Sequence, residues 1–161
     1  MFQAVSLAVI AILTVVDQLT KYIAVETVKV NGPKEVLFGL LQFRYVENTG
    51  AAFSSFSDNT FIITVFTVIV IIAGLAVLVT RKLKPMFVNV CLLLILSGGI
   101  GNVIDRIRLG YVIDFIEPLF IDFAVFNFAD CCITVGAFML IGYEIYDLIK
   151  DYKQKKMNSN D

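Results

Sequence analysis

Histidine is absent from the chain. That removes the Ser-His and Cys-His arrangements of nucleophilic catalysis and deprives a catalytic zinc site of its usual ligand. Charge is scarce as well: Asp, Glu, Lys and Arg make up 17% of the residues, and the net charge is −1. With no basic stripe to follow phosphates, nucleic acid is excluded as a partner. Cysteine is limited to Cys91, Cys131 and Cys132, all within apolar runs and none in a Cys-x-x-Cys pair. They read as small apolar side chains packed in helices. What is abundant is apolar: 58% of the 161 residues are hydrophobic and the mean hydropathy is +0.85. A soluble domain of this length keeps a polar surface, and this composition cannot cover one. The chain reads as a polytopic membrane protein.

Met1 to Val25 is apolar apart from Gln3, Asp17, Gln18 and Lys21 and a few hydroxyls. It lacks the basic start and the small-residue cleavage site of a removable signal peptide, so a first membrane helix is expected. Asp17 falls roughly 20–25 Å along it, in the far half of a hydrocarbon core about 30 Å thick. Lys21 follows four residues later, on the same helix face, and can pair with Asp17. An interfacial pair that ends the helix would have the same spacing. Asn31-Gly32-Pro33 marks a turn, and Leu41 to Tyr45 alternates apolar and polar like a half-buried strand. Uncharged runs at Phe61–Thr80 and Met86–Ile104, and a third over Phe123–Tyr143 broken only by Asn127 and Asp130, supply the other spans.

The expected architecture is one polytopic α-helical domain over 1–161, a bundle of four transmembrane helices. The helices run over about 3–25, 60–80, 86–105 and 128–149, with a small β-element in 31–59, an outer loop over 106–126 and a tail over 150–161. The basic connector Arg81-Lys82-Leu83-Lys84 and the lysines Lys150, Lys153, Lys155 and Lys156 belong in the cytoplasm. Both termini are then inside, and the β-element lies on the outer face. Asp17, Asn48, Asn102, Asp105, Arg106, Asp114 and Asp130, from separate segments, all arrive at that same side.

Polar groups at the edge of a hydrophobic slab are costly unless paired or wetted, which makes them functional candidates. Asn102 and Arg106 share a face on the last turn of the third span, with Asp105 three residues from Asn102. Gly98 and Gly101, one turn earlier, permit close helix packing. Asp114 sits in a β-prone run, and Asp130 heads the fourth helix, where a simple cap would also explain it. If Asp114 and Asp130 lie together they cannot both ionise easily, and one acts as acid while the other acts as base. Such a pair would activate water against a peptide carbonyl. Acidic pairs also bind cations or move protons, so a small proton-coupled transporter and a noncatalytic membrane assembly protein stay open at this point. A serine–lysine peptidase would need one of Ser54, Ser55 or Ser57 presented to Lys21.

Four blocks in this order resemble lipoprotein signal peptidase (signal peptidase II), a bacterial membrane aspartic peptidase family. They are DQLTK (Asp17–Lys21), ENTGAAF (Glu47–Phe53), GGIGNVIDRIRLGYVIDF (Gly98–Phe115) and FNFAD (Phe126–Asp130). The resemblance implies a bundle of four membrane helices with an extracytoplasmic β-element, sited in the bacterial cytoplasmic membrane. It implies removal of the signal peptide from diacylglyceryl-modified prolipoproteins, on the amino side of the lipid-bearing cysteine, with no metal and no organic cofactor. Asp114 and Asp130 match the family's catalytic pair. Asn48, Gly50, Gly98, Asn102, Arg106, Asn127 and Ala129 match positions that line or support the site. Asp17 and Lys21 match a block with a structural or orienting part, and Asp105 matches a position outside the catalytic pair. The partners implied are prolipoprotein substrates and membrane lipids, with the enzyme working as a monomer. Cys131-Cys132 and Gly99 depart from the residues common in relatives, small replacing small.

Overall fold

The computed structural model describes residues 2–50, 60–80 and 85–158. The predicted basic connector (Arg81-Lys82-Leu83-Lys84), Ala51-Ala52-Phe53, Ser54, Ser55 and Ser57 lie outside the described residues. Among the described residues, four helices are long and apolar enough to cross a membrane. They are α1 (Phe2–Ala24), α2 (Thr60–Thr80), α3 (Met86–Leu109) and α4 (Phe128–Asn158). Between them lie β1 (Lys34–Val36), β2 (Leu41–Asn48) and β3 (Val112–Pro118), forming one antiparallel sheet in the order β1-β2-β3.

Helix α3 is the axis of the bundle and packs against α1, α2 and α4. Its most apolar window is 61% buried, against 6% for that of α2, so α2 turns most of its side chains outward. In a bilayer those side chains meet lipid, which is as apolar as a core. Ile10, Ile71, Leu78, Leu93, Leu96 and Val103 form the central apolar cluster, drawn from α1, α2 and α3. Where two helices must approach most closely, glycine is the residue present. A Cβ on Gly136 would stand 2.8 Å from the Cys91 carbonyl oxygen, and one on Gly98 would strike the Ala129 carbonyl. Both lie in the contact between α3 and α4, where side-chain-free positions let the two backbones pack.

Helix ends account for the differences from the expected spans. Helix α1 passes into a π-helical turn, Val25–Lys29, and stops at Gly32, which has φ of 86° and whose N–H donates to the Val28 carbonyl. Helix α3 continues to Leu109 rather than ending at 105. Its stop is Gly110, left-handed at φ 83°, whose N–H closes on the Arg106 carbonyl. Helix α4 runs on through Asn158, so residues 150–158, expected in a tail, are helical. At about 1.5 Å per residue its 31 residues make a rod longer than a bilayer core. Asp130 and the lysine cluster therefore stand at opposite ends of α4.

The sheet is placed by its register. Val46 pairs with Asp114, Glu47 with Ile113 and Asn48 with Val112, after a bulge between Phe43 and Val46. On the other side of β3, Ile116 bridges Phe126, which delivers the chain into α4. The β1–β2 connection holds Leu37 and Phe38 at positive φ (49° and 58°) before Gly39, a conformation costly for bulky residues. Leu37, Phe38 and Leu40 are exposed there.

Candidate active site

Asp130 belongs to the first turn of α4, and its neighbours explain its position. Asn127 precedes the helix, and its Oδ1 accepts the Asp130 N–H at 2.9 Å. In return an Asp130 Oδ2 atom accepts the Asn127 N–H at 3.1 Å. This reciprocal pair has the geometry of a capping box, and the helix dipole favours a carboxylate there. The next orphan donor, the Ala129 N–H, is taken by Asp17 Oδ1 at 2.9 Å. Asn127 is thus the N-cap and Asp130 its reciprocal partner in the first turn, and Asp130 also lines a cavity.

Asp114 is brought to the same cavity by β3. It is 2% exposed, with Asn48 Nδ2 donating to Oδ2 at 2.8 Å and Asn127 Nδ2 donating to Oδ1 at 2.7 Å. Burial pushes its carboxyl up to about 6, the Asn48 hydrogen bond opposes that rise, and the neighbouring Asp130 charge adds to it. Asn127, fully buried, touches both acids: its side-chain amide holds Asp114, and its backbone N–H and side-chain oxygen hold Asp130.

Asn102 completes the bridge. Its Nδ2 donates to Asp130 Oδ1 at 2.9 Å, while its Oδ1 accepts from Lys21 Nζ at 2.9 Å and from Asn127 Nδ2 at 3.1 Å. An ammonium has no acceptor to offer, so the Asn102 oxygen must face Lys21 and its NH2 must face Asp130. Lys21 is 2% exposed and uses all three protons, on Asn102, on Asp17 at 2.9 Å and on Asp105 at 2.8 Å. The expected Asp17–Lys21 pair therefore exists deep in the bundle and well before the helix ends. A Cβ on Gly101 would collide with the Asp17 carboxylate, so this glycine makes room for the ion pair.

The cavity, of about 680 Å³, is lined by Asn48, Asn102, Arg106, Asp114 and Asp130 among polar groups and by Val112, Phe123, Phe126 and Ile133 among apolar ones. Arg106 reaches the Gly50 carbonyl through a terminal nitrogen at 3.1 Å, and its buried Nε has no hydrogen-bond partner among the described residues. Gly50 is held in turn by its N–H to Asn48 Oδ1 at 2.9 Å. All the residues singled out in the sequence thus fall in one connected region: Asp17, Lys21, Asn48, Gly50, Gly98, Asn102, Arg106, Asp114, Asn127, Ala129 and Asp130. Asp105, expected on this side but outside the catalytic pair, belongs to it too, as does Gln18, which the sequence does not single out. Gln18 Nε2 donates to Asp105 Oδ1 at 3.0 Å and to the Gly101 carbonyl at 3.2 Å. The spacing of three between Asn102 and Asp105 was the available signal, since Lys21 spans those two side chains.

A bundle of membrane helices with two carboxylates bridged by amides in one apolar-walled cavity defines a membrane protein equipped for carboxylate chemistry. Comparison with known proteins gives the family. The model for Signal peptidase (SPase) II matches residues 9–146. The lipoprotein signal peptidase of Streptococcus thermophilus is 41% identical over 138 residues, covering 86% of this chain and 90% of that protein. That of Streptococcus pyogenes is 42% identical over 130 residues, covering 81% and 86% respectively. A bacterial membrane enzyme solved by the in meso method at 2.3 Å resolution superposes with a TM-score of 0.81 at 32% identity, over 94% of this chain and 92% of that one. The chain belongs to the signal peptidase II family. It is a multi-pass bacterial membrane protein.

Proposed function

We propose that this protein is the membrane aspartic endopeptidase that removes signal peptides from diacylglyceryl-modified prolipoproteins, with Asp114 and Asp130 as its catalytic pair. The family gives the reaction class, and the residue assignment rests on one observation: the two carboxylates line one cavity and are tied together through Asn127. With one proton shared between them, the ionised carboxylate takes a proton from water, which attacks the carbonyl carbon of the scissile peptide bond. The protonated partner gives its proton to the carbonyl oxygen. Collapse of the tetrahedral intermediate breaks the C–N bond as one carboxyl gives its proton to the leaving amine and the other carboxylate takes a hydroxyl proton, which restores the shared proton. Asn48, Asn102 and Asn127 hold the carboxylates in place, and Arg106, which lines the same cavity, supplies a positive charge beside them.

The lipid-bearing cysteine of such a substrate lies at the headgroup level, so the site works at the outer membrane face with both termini inside. Supporting this orientation, the Lys150–Lys156 stretch is at the far end of α4 from Asp130. The exposed Leu37, Phe38 and Leu40 suit a sheet resting in the headgroup region in contact with lipids. The enzyme works as a monomer, since the described residues supply both carboxylates and their amide partners.

The test is cleavage of a diacylglyceryl prolipoprotein by purified protein in detergent, comparing wild type, Asp114→Asn and Asp130→Asn, each with and without chelator. Loss of cleavage in both folded variants, with the chelator harmless to the wild type, is expected. Near-wild-type cleavage by either variant would sink the pair as assigned.

A further inference from the structure

Strand β3 is paired on one side only near Ile113, where Glu47 of β2 stands opposite. On its other side, among the described residues, no strand continues the sheet beside Ile113, and an unpaired buried N–H there would be costly. The side chains of two other elements take its place. Asp105 Oδ2, from α3, accepts the Ile113 N–H at 3.2 Å, and Asn127 Nδ2 donates to the Ile113 carbonyl at 3.3 Å. Asp105 is 2% exposed, and the same Oδ2 receives Lys21 Nζ at 2.8 Å. One carboxylate thus holds the residue before Asp114 and anchors the ammonium that turns the Asn102 amide toward Asp130.

We propose that Asp105 is a positioning residue for the carboxylate pair, fixing Asp114 through the Ile113 N–H and Asp130 through Lys21 and Asn102. This rests on the assignment of Asp114 and Asp130 as the catalytic pair. Asp105 touches neither carboxylate and neither takes nor gives a proton in the reaction. Its charge matters as well as its shape. The charged groups facing Asp105 are Lys21 and Asp17 of α1 and Arg106 of α3, and those around the pair are Arg106 and Arg44 of β2. Removing the Asp105 charge leaves Lys21 balanced by Asp17 alone. The local potential becomes more positive, and Asp114 gives up its proton at lower pH.

The experiment compares wild type, Asp105→Asn and Asp105→Glu in detergent, using a diacylglyceryl prolipopeptide, with kcat and KM measured across pH and folding checked by thermal unfolding. Asp105→Asn is expected to lower kcat about tenfold or more with KM within about twofold. It should also move the alkaline limb of the pH profile down by about half a pH unit or more. Asp105→Glu keeps the charge and misplaces the carboxylate, so kcat falls while the limb stays where it is. A folded Asp105→Asn with wild-type kcat and limbs overturns the proposal, as does an effect on KM alone. Failure of both variants to fold, when Asp114→Asn folds normally, also overturns it and leaves Asp105 a purely structural part. Failure of the wild type to cleave, or full activity of Asp114→Asn, would instead overturn the function on which the proposal rests.

Discussion

Replacing Asn48 with alanine perturbs the proposed pair at one identified hydrogen bond. Asn48 Nδ2 lies 2.8 Å from Asp114 Oδ2, and this contact stabilises the ionised carboxylate against a burial that has already pushed it up to about 6. A hydrogen bond to a charged acceptor contributes about 1.5–3 kcal/mol, which corresponds to about one to two pH units in the proton affinity of the site. Loss of a donor to the ionised form raises that affinity. The alkaline limb of kcat/KM, where Asp114 gives up its proton, should therefore move to higher pH in Asn48→Ala. Asn48 also holds the Gly50 N–H at 2.9 Å, and Gly50 in turn receives Arg106, so some rise in KM is expected besides. The limb position separates the two effects, since a loosened Gly50 has no proton to lose. The assay is cleavage of a fluorogenic diacylglyceryl lipopeptide in micelles from about pH 4.5 to 9. An alkaline limb that stays in place, or that moves to lower pH, would refute the electrostatic part assigned to Asn48.

Asp114 should also leave a mark on stability. Its carboxyl is held at about 6 against an ordinary 3.8, so the folded state binds this proton more tightly than the unfolded chain. That contribution is present below about pH 4 and is lost as pH rises to about 6, about 3 kcal/mol in all. The fall in thermal stability between pH 4 and 7 should be shallower in Asp114→Asn, and an unchanged slope would contradict the assignment. Gly98→Ala should destabilise by about 1–3 kcal/mol, because its Cβ meets the Ala129 carbonyl and Ile133, whereas Gly142→Ala meets nothing within 4 Å and should be neutral or slightly stabilising. Thermal unfolding in one detergent decides between them. Glu47→Gln removes an ion pair with Lys29 whose side chains are 46% and 44% exposed, and it should leave the melting temperature within about 1 °C.

Much of this arrangement was readable from residue order because the bilayer is a strict solvent. An apolar run of sufficient length has one stable form there, so the four spans and the short alternating strand at Leu41–Tyr45 could be located without coordinates. The Asp17–Lys21 pair followed from a spacing of four. Its depth did not, because burial of that pair depends on Gly101 of another helix leaving space for the carboxylate. The sequence places Asp105 beside Asn102 at this face, but its hold on β3 is not legible there. Sequence spacing shows which side chains share a helix face, and it is silent on a strand edge arriving from elsewhere with an unpaired N–H. Helix ends were the least legible feature. Gly110 could be seen, but Arg106 and Arg108 disguised the last turn of α3 as loop.

Asp130 illustrates why capping and chemistry need not compete as explanations. A carboxylate at the start of a membrane helix is stabilised by the helix dipole and by the Asn127 N–H, and both are fixed in direction by the backbone. The same rigidity suits a catalytic group, which gains nothing from freedom to rotate. Asn127 satisfies the helix end with one side-chain atom and holds Asp114 with the other, so the cap geometry itself sets the relation between the two carboxyls. Asp17, taking the Ala129 N–H, extends that logic to α1 and brings Lys21 with it. Burying this ion network is costly in a bilayer. Replacing it with apolar side chains would remove that cost, but it would also leave Asn102 with nothing to choose which end of its amide faces Asp130.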